Sequence, residues 1–542
     1  MQFKFSKFAS VLIAGGIISL PIAAHANDSS ELEELRALVQ QLDQQVKVLA
    51  RKGEIVEEDV AAAKKVTPVV KASESGFGLQ SADGQHEIKF RGLLQTDVRG
   101  FSSGKNLTSK AASGASTAGY LDNTEDANST ALLRRIRPTI EGTVYGKYDF
   151  RFTPEFGDGK SQVIDAYLDA RLDPAFKIRA GKYKPFVGLE RLQSGSDIKF
   201  LERSYVSNIL PNRDVGVSAY GDFLDGKLSY AVGVHNGVAD GGDNTTASDI
   251  NKDKDYAARV FTSPFKDADN ALAGLSFGLA GTYGNVAGTT KDTVNGSTTE
   301  LTSGYKTEGQ QTFFRYNDST VLRSGIGEGV TGTGGPGPTW LVHADGQRYR
   351  IAPQATYYNG SFGLLTEYVR ESQEISVGAA NLKKTTLHND AWQVAGSWLL
   401  TGEDASFKGV KPKHNFDLKN GGWGAWEIVA RYSELNVDDN AFTYGNLGGA
   451  AGAASLTNTN HYLYADPKAS AKSAKTWTAG VNWYLNSEVK FALNYAQTSF
   501  DGGGDILTSS TTNTLANLTK FTANARDRED ERVLLARFQV AF

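Results

Sequence analysis

From residue 86 to the C-terminus, apolar and polar side chains alternate in short runs, the two-residue period of a strand with one apolar and one polar face. In 87–99 the apolar set is Ile88, Phe90, Leu94 and Val98, against Glu87, Lys89, Arg91, Gln95, Asp97 and Arg99. Ile136, Ile140 and Val144 likewise oppose Arg135, Arg137, Thr139 and Glu141, and Ile164, Ala166, Leu168, Ala170 and Leu172 oppose Asp165, Tyr167, Asp169 and Arg171. The rhythm returns at Trp392, Val394 and Trp398, at Trp477, Ala479, Val481 and Trp483, and at Val489, Phe491, Leu493 and Tyr495. A different period appears near the start: Leu32, Leu35, Val39, Leu42, Val46 and Leu49 are spaced 3, 4, 3, 4, 3, the seam of an amphipathic helix.

Alternation fits a two-sheet sandwich as well as a membrane barrel, so the surroundings of the two faces decide. Tryptophans six residues apart on one apolar face stand roughly 20 Å apart along a strand, the spacing of two interfacial girdles. Sixteen strands can be counted between 87–99 and 530–542. Tight joins at 145–147, 173–174, 224–227, 359–360 and 486–487 alternate with long Gly, Ser, Thr and Asn loops at 100–130, 237–255, 284–345 and 437–475. Short turns at one end and long loops at the other is the outer-membrane arrangement. The expected fold class is therefore all-β, an antiparallel transmembrane β-barrel of 16 strands. Residues 401–424 are long for a periplasmic turn, and 312–316 offer an extra strand that keeps 18 open.

The domain plan follows. Lys4 and Lys7, the apolar run Phe8–Ala24 and Ala24-His25-Ala26 make residues 1–26 a signal peptide. Residues 27–52 read as a periplasmic helix, a coiled coil ahead of the alternative of an amphipathic helix laid on a neighbouring surface, 53–85 as a linker, and 86–542 as the barrel. The closing run Leu534, Ala536, Phe538, Val540 and Phe542 resembles the aromatic C-terminal signature of outer-membrane barrels.

Composition narrows the chemistry. The chain has 542 residues, 58 Gly, no Cys and a formal charge of −4, so thiolate metal sites, disulfides and a global basic footprint for nucleic acid are all excluded. Gly159-Lys160-Ser161 lacks the first glycine of a nucleotide-binding loop and sits between strands. The seven histidines show no ligand spacing, and no catalytic set is apparent. No cofactor, metal or enzyme activity is expected.

Gly181 to Glu190 (GKYKPFVGLE), Phe200-Leu201-Glu202-Arg203-Ser204, Asp165-Ala166-Tyr167, Ser397 to Glu403 and Gly421 to Glu427 together resemble the phosphate-selective porins, porins O and P. The resemblance covers about 80–542 and implies a homotrimer of sixteen-stranded barrels in outer-membrane lipid. It also implies a third extracellular loop, here 182–214, folded inward as the constriction. By that resemblance Arg203 matches a narrow-zone arginine, Asp165 the carboxylate that holds it, and Tyr167 a hydroxyl donor.

Lumen phase adds an arginine series: Arg91, Arg99, Arg135, Arg137, Arg151, Arg171, Arg179, Arg350, Arg431 and Arg537. The guanidinium fork suits phosphate oxygens, and several modest sites pass an ion better than one deep site. The expected anion path therefore comprises Arg203, Arg191, Lys199, Lys184, Asp165, Tyr167, Arg135, Arg137, Arg151, Arg179 and Arg91. The expected permeants are small inorganic anions: phosphate, pyrophosphate or polyphosphate, which one sequence does not separate. Two other readings stand beside this one. In the first, a general or organic-substrate porin, the arginines only balance internal acids. In the second, a structural barrel, residues 28–52 contact the cell wall or a periplasmic partner.

Overall fold

The computed structural model describes residues 29–73, 76–107, 124–244, 252–288, 301–317, 342–377, 383–445, 461–465, 467, 470–503, 506–509, 518–521 and 528–542. The expected signal peptide lies outside them. Two units are distinguished, up to Thr67 and from Pro68 onward.

The first unit is one helix, α1, Ser29–Val66. It was expected to stop at 52, ahead of Gly53. A single glycine costs a helix only about 1 kcal/mol relative to alanine, and the seam spacing resumes beyond it at Val56 and Val60. Leu35, Leu42 and Leu49 all face outward on this helix, more than half exposed.

The second unit begins with a hairpin, Val69–Ser73 with Gly76–Gln80, where a linker was expected. A closed barrel of sixteen antiparallel strands follows. Its strands are β1 (Glu87–Ser103), β2 (Thr130–Val144), β3 (Tyr148–Glu155), β4 (Gln162–Asp173), β5 (Phe176–Tyr183) and β6 (Asp214–Phe223). Then come β7 (Leu228–His235), β8 (Asp255–Thr262), β9 (Leu275–Ala287), β10 (Val342–Asn359) and β11 (Phe362–Val377). The last five are β12 (Lys383–Leu399), β13 (Ala425–Asn436), β14 (Ala471–Tyr484), β15 (Val489–Gly502) and β16 (Glu531–Ala541).

All sixteen expected strands are present. Among the described residues Thr312–Phe314 pairs only with Tyr305–Lys306, inside the connection between β9 and β10, and adds nothing to the barrel wall. The wall closes where β16 pairs with β1, Ala536 opposite Val98. At that seam Gly92 and Phe542 exchange two backbone hydrogen bonds, 2.9 and 3.1 Å. The Phe542 ring lies 2.6 Å from where a Cβ on Gly92 would stand and meets Phe77 of the hairpin edge-on at 6.0 Å.

Burial is inverted relative to a sandwich. Leu94 and Val98 on β1 are 43% and 53% exposed, while Gln95 and Asp97 between them are 0% and 1% exposed. The apolar faces look outward to lipid. Two aromatic tiers girdle them: Trp426 stacked on Trp483 at 5.1 Å with Phe491 and Phe538 nearby, and Trp392–Tyr432 with Trp477–Tyr495 six residues further along. The long turn 400–424 does not stay at the rim. Ala405 and Val410 pack with Leu399, Ala425 and Tyr484, and the Phe407 carbonyl accepts from Gln193 inside the lumen at 2.9 Å.

Leu279 sits mid-strand on the lipid face, opposite Val260 and Pro353. Leu279→Arg is expected to destabilise the barrel by about 2–4 kcal/mol, the cost of a midplane cation. Denaturant unfolding in liposomes measures it.

Candidate functional site

The connection from β5 to β6, residues 184–213, crosses the barrel interior. Lys199 Nζ reaches Glu427 on β13 at 2.5 Å, and Leu201 N donates to Asn494 on β15 at 2.8 Å. Tyr205 Oη meets Thr476 on β14 at 2.6 Å, while Gln95 on β1 and Gln354 on β10 donate to the carbonyls of Gly195 and Val187. Buried backbone groups need partners, and here the lumen side chains of distant strands supply them. Val187, Ile209 and Leu210 of the segment are fully buried.

Between this segment and the β2–β4 wall lies a cavity of about 100 Å³. Its charged lining is eight cations, Arg134, Arg135, Arg137, Lys160, Lys184, Arg191, Arg203 and Arg213, against three carboxylates, Glu155, Asp158 and Asp243. A bulge makes the arginine wall dense. Gln95 pairs with Arg135 but Thr96 with Leu133, so Arg134 is an extra residue and Arg134 and Arg135 both turn inward. Gly157 lets the β3–β4 loop press on that bulge, because a Cβ there would sit 2.7–2.8 Å from the backbone of Arg134 and Arg135.

The cations divide by what holds them. Arg134 is bidentate to Glu202 at 2.7 and 3.0 Å, Arg137 meets Glu155 at 2.5 Å and Arg213 meets Asp165 at 2.9 Å. Lys160 stands 3.8 Å from Asp158, and the remaining four have no carboxylate within 4 Å among the described residues. Arg203 donates to the carbonyls of Glu190 (3.2 Å) and Gln193 (2.8 Å), and Lys184 to that of Gln193 (2.8 Å). Arg191 donates to the carbonyls of Ser207 and Gly241, and Arg135 to the Gln95 amide oxygen at 2.6 Å. Neutral oxygens orient these groups without cancelling their charge. Burial, with Arg203 and Arg213 alongside, pushes the Lys184 ammonium well below its ordinary pKa.

Toward the short-turn end the pattern changes to cross-strand pairs. Arg91 and Arg151 share Glu141 at 3.3 and 3.6 Å, Arg179 holds Asp169 at 2.5 Å, and Arg171 holds Asp149 at 2.8 Å. Tyr167 lies flat against the Arg179 guanidinium, 4.2 Å from ring centre.

Of the residues expected from sequence, Arg203, Arg191, Lys184, Arg135 and Arg137 line one cavity. Arg91, Arg151, Arg179 and Tyr167 form the paired stretch below it. Two expectations are corrected. Asp165 holds Arg213 and not Arg203, because Arg213 ends the crossing segment directly over β4. Lys199 points away from the cavity and is neutralised by Glu427. Arg134, Lys160 and Arg213 were missed; the Arg134-Arg135 doublet, which breaks strict alternation, was the available signal for a bulge.

Asp165→Asn leaves Arg213 facing Lys184 and Arg137 without its countercharge. Loss of one partner from a buried pair is expected to cost about 3 kcal/mol or more, and added phosphate should recover part of it. Denaturation midpoints in detergent, with and without phosphate, check this.

A sequence model of the family described as phosphate-selective porin O and P matches residues 112–502. Porin O of Pseudomonas aeruginosa is 22% identical over 452 residues, 80% of this chain and 87% of that protein. Among solved structures, OmpT of Vibrio cholerae aligns at 11% identity over 84% of this chain and 98% of its own, TM-score 0.44. The outer-membrane channel DcaP of Acinetobacter baumannii aligns at 10% identity over 86% of this chain and 100% of its own, TM-score 0.44.

Proposed function

The chain belongs to the phosphate-selective porin O and P family, and from that premise we propose that it passes phosphate and similar inorganic anions through the cavity beside segment 184–213. It is an outer-membrane channel and not an enzyme. The observation that carries the proposal is the group of four cations, Arg135, Lys184, Arg191 and Arg203, held by neutral oxygens around one cavity. Cations gathered in a partly desolvated space repel one another, and an entering oxyanion relieves that repulsion while taking guanidinium forks bidentately. Glu155, Asp158 and Asp243 on the same lining keep the site from becoming a sink. Below it, Arg91, Arg151, Arg179 and Arg171 each share an acid, forming weaker stations along which the ion leaves.

In this reading the first 26 residues export the chain, and three barrels associate. Helix α1 supports that association. Its seam runs Leu32 to Leu49 and on to Val56 and Val60, past the three heptads a coiled coil needs. Leu42→Asp is expected to reduce the trimer fraction seen by chemical cross-linking, while each barrel still folds.

In a planar bilayer under a KCl gradient, the reversal potential is expected to report anion selectivity. Arg203→Ala should weaken phosphate block of chloride current about tenfold, and Arg171→Ala, at the rim, much less. Equal effects would remove the cavity from the path.

A pH dependence follows from Lys184. Its lowered pKa means that its charge is lost at a lower pH than that of an ordinary lysine as pH rises. Anion conductance should fall with rising pH as that charge is lost, and Lys184→Arg, which stays charged, should flatten the profile.

A further inference from the structure

A second stretch of chain enters the lumen from the long-loop end. Residues 301–317, between β9 and β10, carry a small ladder, Tyr305–Lys306 with Thr312–Phe314. Tyr305, Phe313 and Phe314 are wholly buried; Tyr305 stacks on Phe314 at 5.4 Å, and Phe313 meets Tyr205 of the crossing segment at 5.8 Å. This packing carries the tip, Glu308, to the far wall from the four-cation cavity.

There Glu308 makes contacts that a free oxyanion would make. One carboxylate oxygen lies 2.9 Å from Nη2 and 3.1 Å from Nε of Arg431 on β13. The other accepts from Thr478 Oγ1 on β14 at 2.7 Å. Glu308 is 2% exposed, Arg431 3% and Thr478 1%. The turn is pinned beside it: Thr307 Oγ1 and the Gly309 N–H both donate to Glu531 of β16, at 2.9 and 3.2 Å. Arg431 keeps a second carboxylate, Glu190, at 3.0 Å.

We infer that Glu308 is a tethered counter-anion, occupying at Arg431 the place a permeating oxyanion would take and so confining conduction to the opposite wall. The inference rests on the anion-channel reading above. An intramolecular competitor acts at an effective concentration on the order of millimolar, so dilute permeants are directed past Arg431 to the cavity of Arg135, Lys184, Arg191 and Arg203. Glu308 is then a selectivity-determining residue that works by exclusion: together with Glu190 it withholds Arg431 from the permeating anions.

The test uses the full chain in planar bilayers. Glu308→Gln keeps the shape of the tip but removes its charge. Single-channel conductance in KCl is expected to rise about twofold, and the chloride-to-potassium permeability ratio with it. A second readout does not depend on current. The chain has no cysteine, so Thr478→Cys can be labelled alone. Its modification by a negatively charged methanethiosulfonate should be at least tenfold faster when Glu308→Gln is also present. Unchanged conductance together with equal labelling rates, in variants whose heat-modifiable mobility shows a folded barrel, would overturn the inference. A wild-type channel that is not anion-selective would instead overturn the reading beneath it.

Discussion

Holding a cation in place without neutralising it is the constraint on which the lumen depends. A carboxylate fixes an arginine firmly but cancels the charge that an anion would need. A backbone carbonyl or an amide oxygen fixes it nearly as well and leaves the charge standing. The crossing segment solves this by presenting the carbonyls of Glu190, Gln193 and Ser207 to Arg203, Lys184 and Arg191. Glu190 and Ser207 lie in two four-residue helical turns, Leu189–Leu192 and Val206–Ile209, too short to occupy most of their own carbonyls, which are left to accept from side chains. Longer regular structure there would have used them on itself.

The interior is accordingly lopsided. On the β2–β4 side the cations outnumber the acids and keep their field. On the β13–β16 side most cations are answered by acids, Arg431 by Glu190 and Glu308, Lys199 by Glu427 and Arg537 by Asp97, while Lys490 is held by the carbonyls of Ser196 and Ile198. The inserted segments thus do more than narrow the bore. They also decide which lumen cations meet carboxylates and which meet neutral carbonyls.

Much of the barrel was legible from sequence because its strands have one face in lipid and the other on polar neighbours, which writes a clean two-residue period. Leu94 and Val98 against Gln95 and Asp97 is the pattern in miniature. The site was less legible. Side chains of an inserted loop obey no period, so nothing in the run from Lys184 to Arg213 says that Lys199 turns one way and Arg203 another. The partner of Asp165 was misassigned for the same reason: Arg203 and Arg213 are both in reach of β4 along the chain, and only the path of the segment decides. The doublet at Arg134-Arg135 is a bulge, one residue too many for alternation. Helix α1 was cut short at a glycine that the fold tolerates.

The seam at Phe542 bears on how such a wall comes into being. The last residue of the chain completes two backbone bonds with Gly92, near the start of the first strand, and its ring fills a notch that only a missing side chain provides. Ends separated by some 450 positions must meet before the cylinder is shut. Trimming Phe542 would remove those two bonds and the ring's contact with Phe77 from the seam, leaving the ladder from Arg532 to Ala541 to hold the cylinder shut against the open edge that a bilayer does not tolerate.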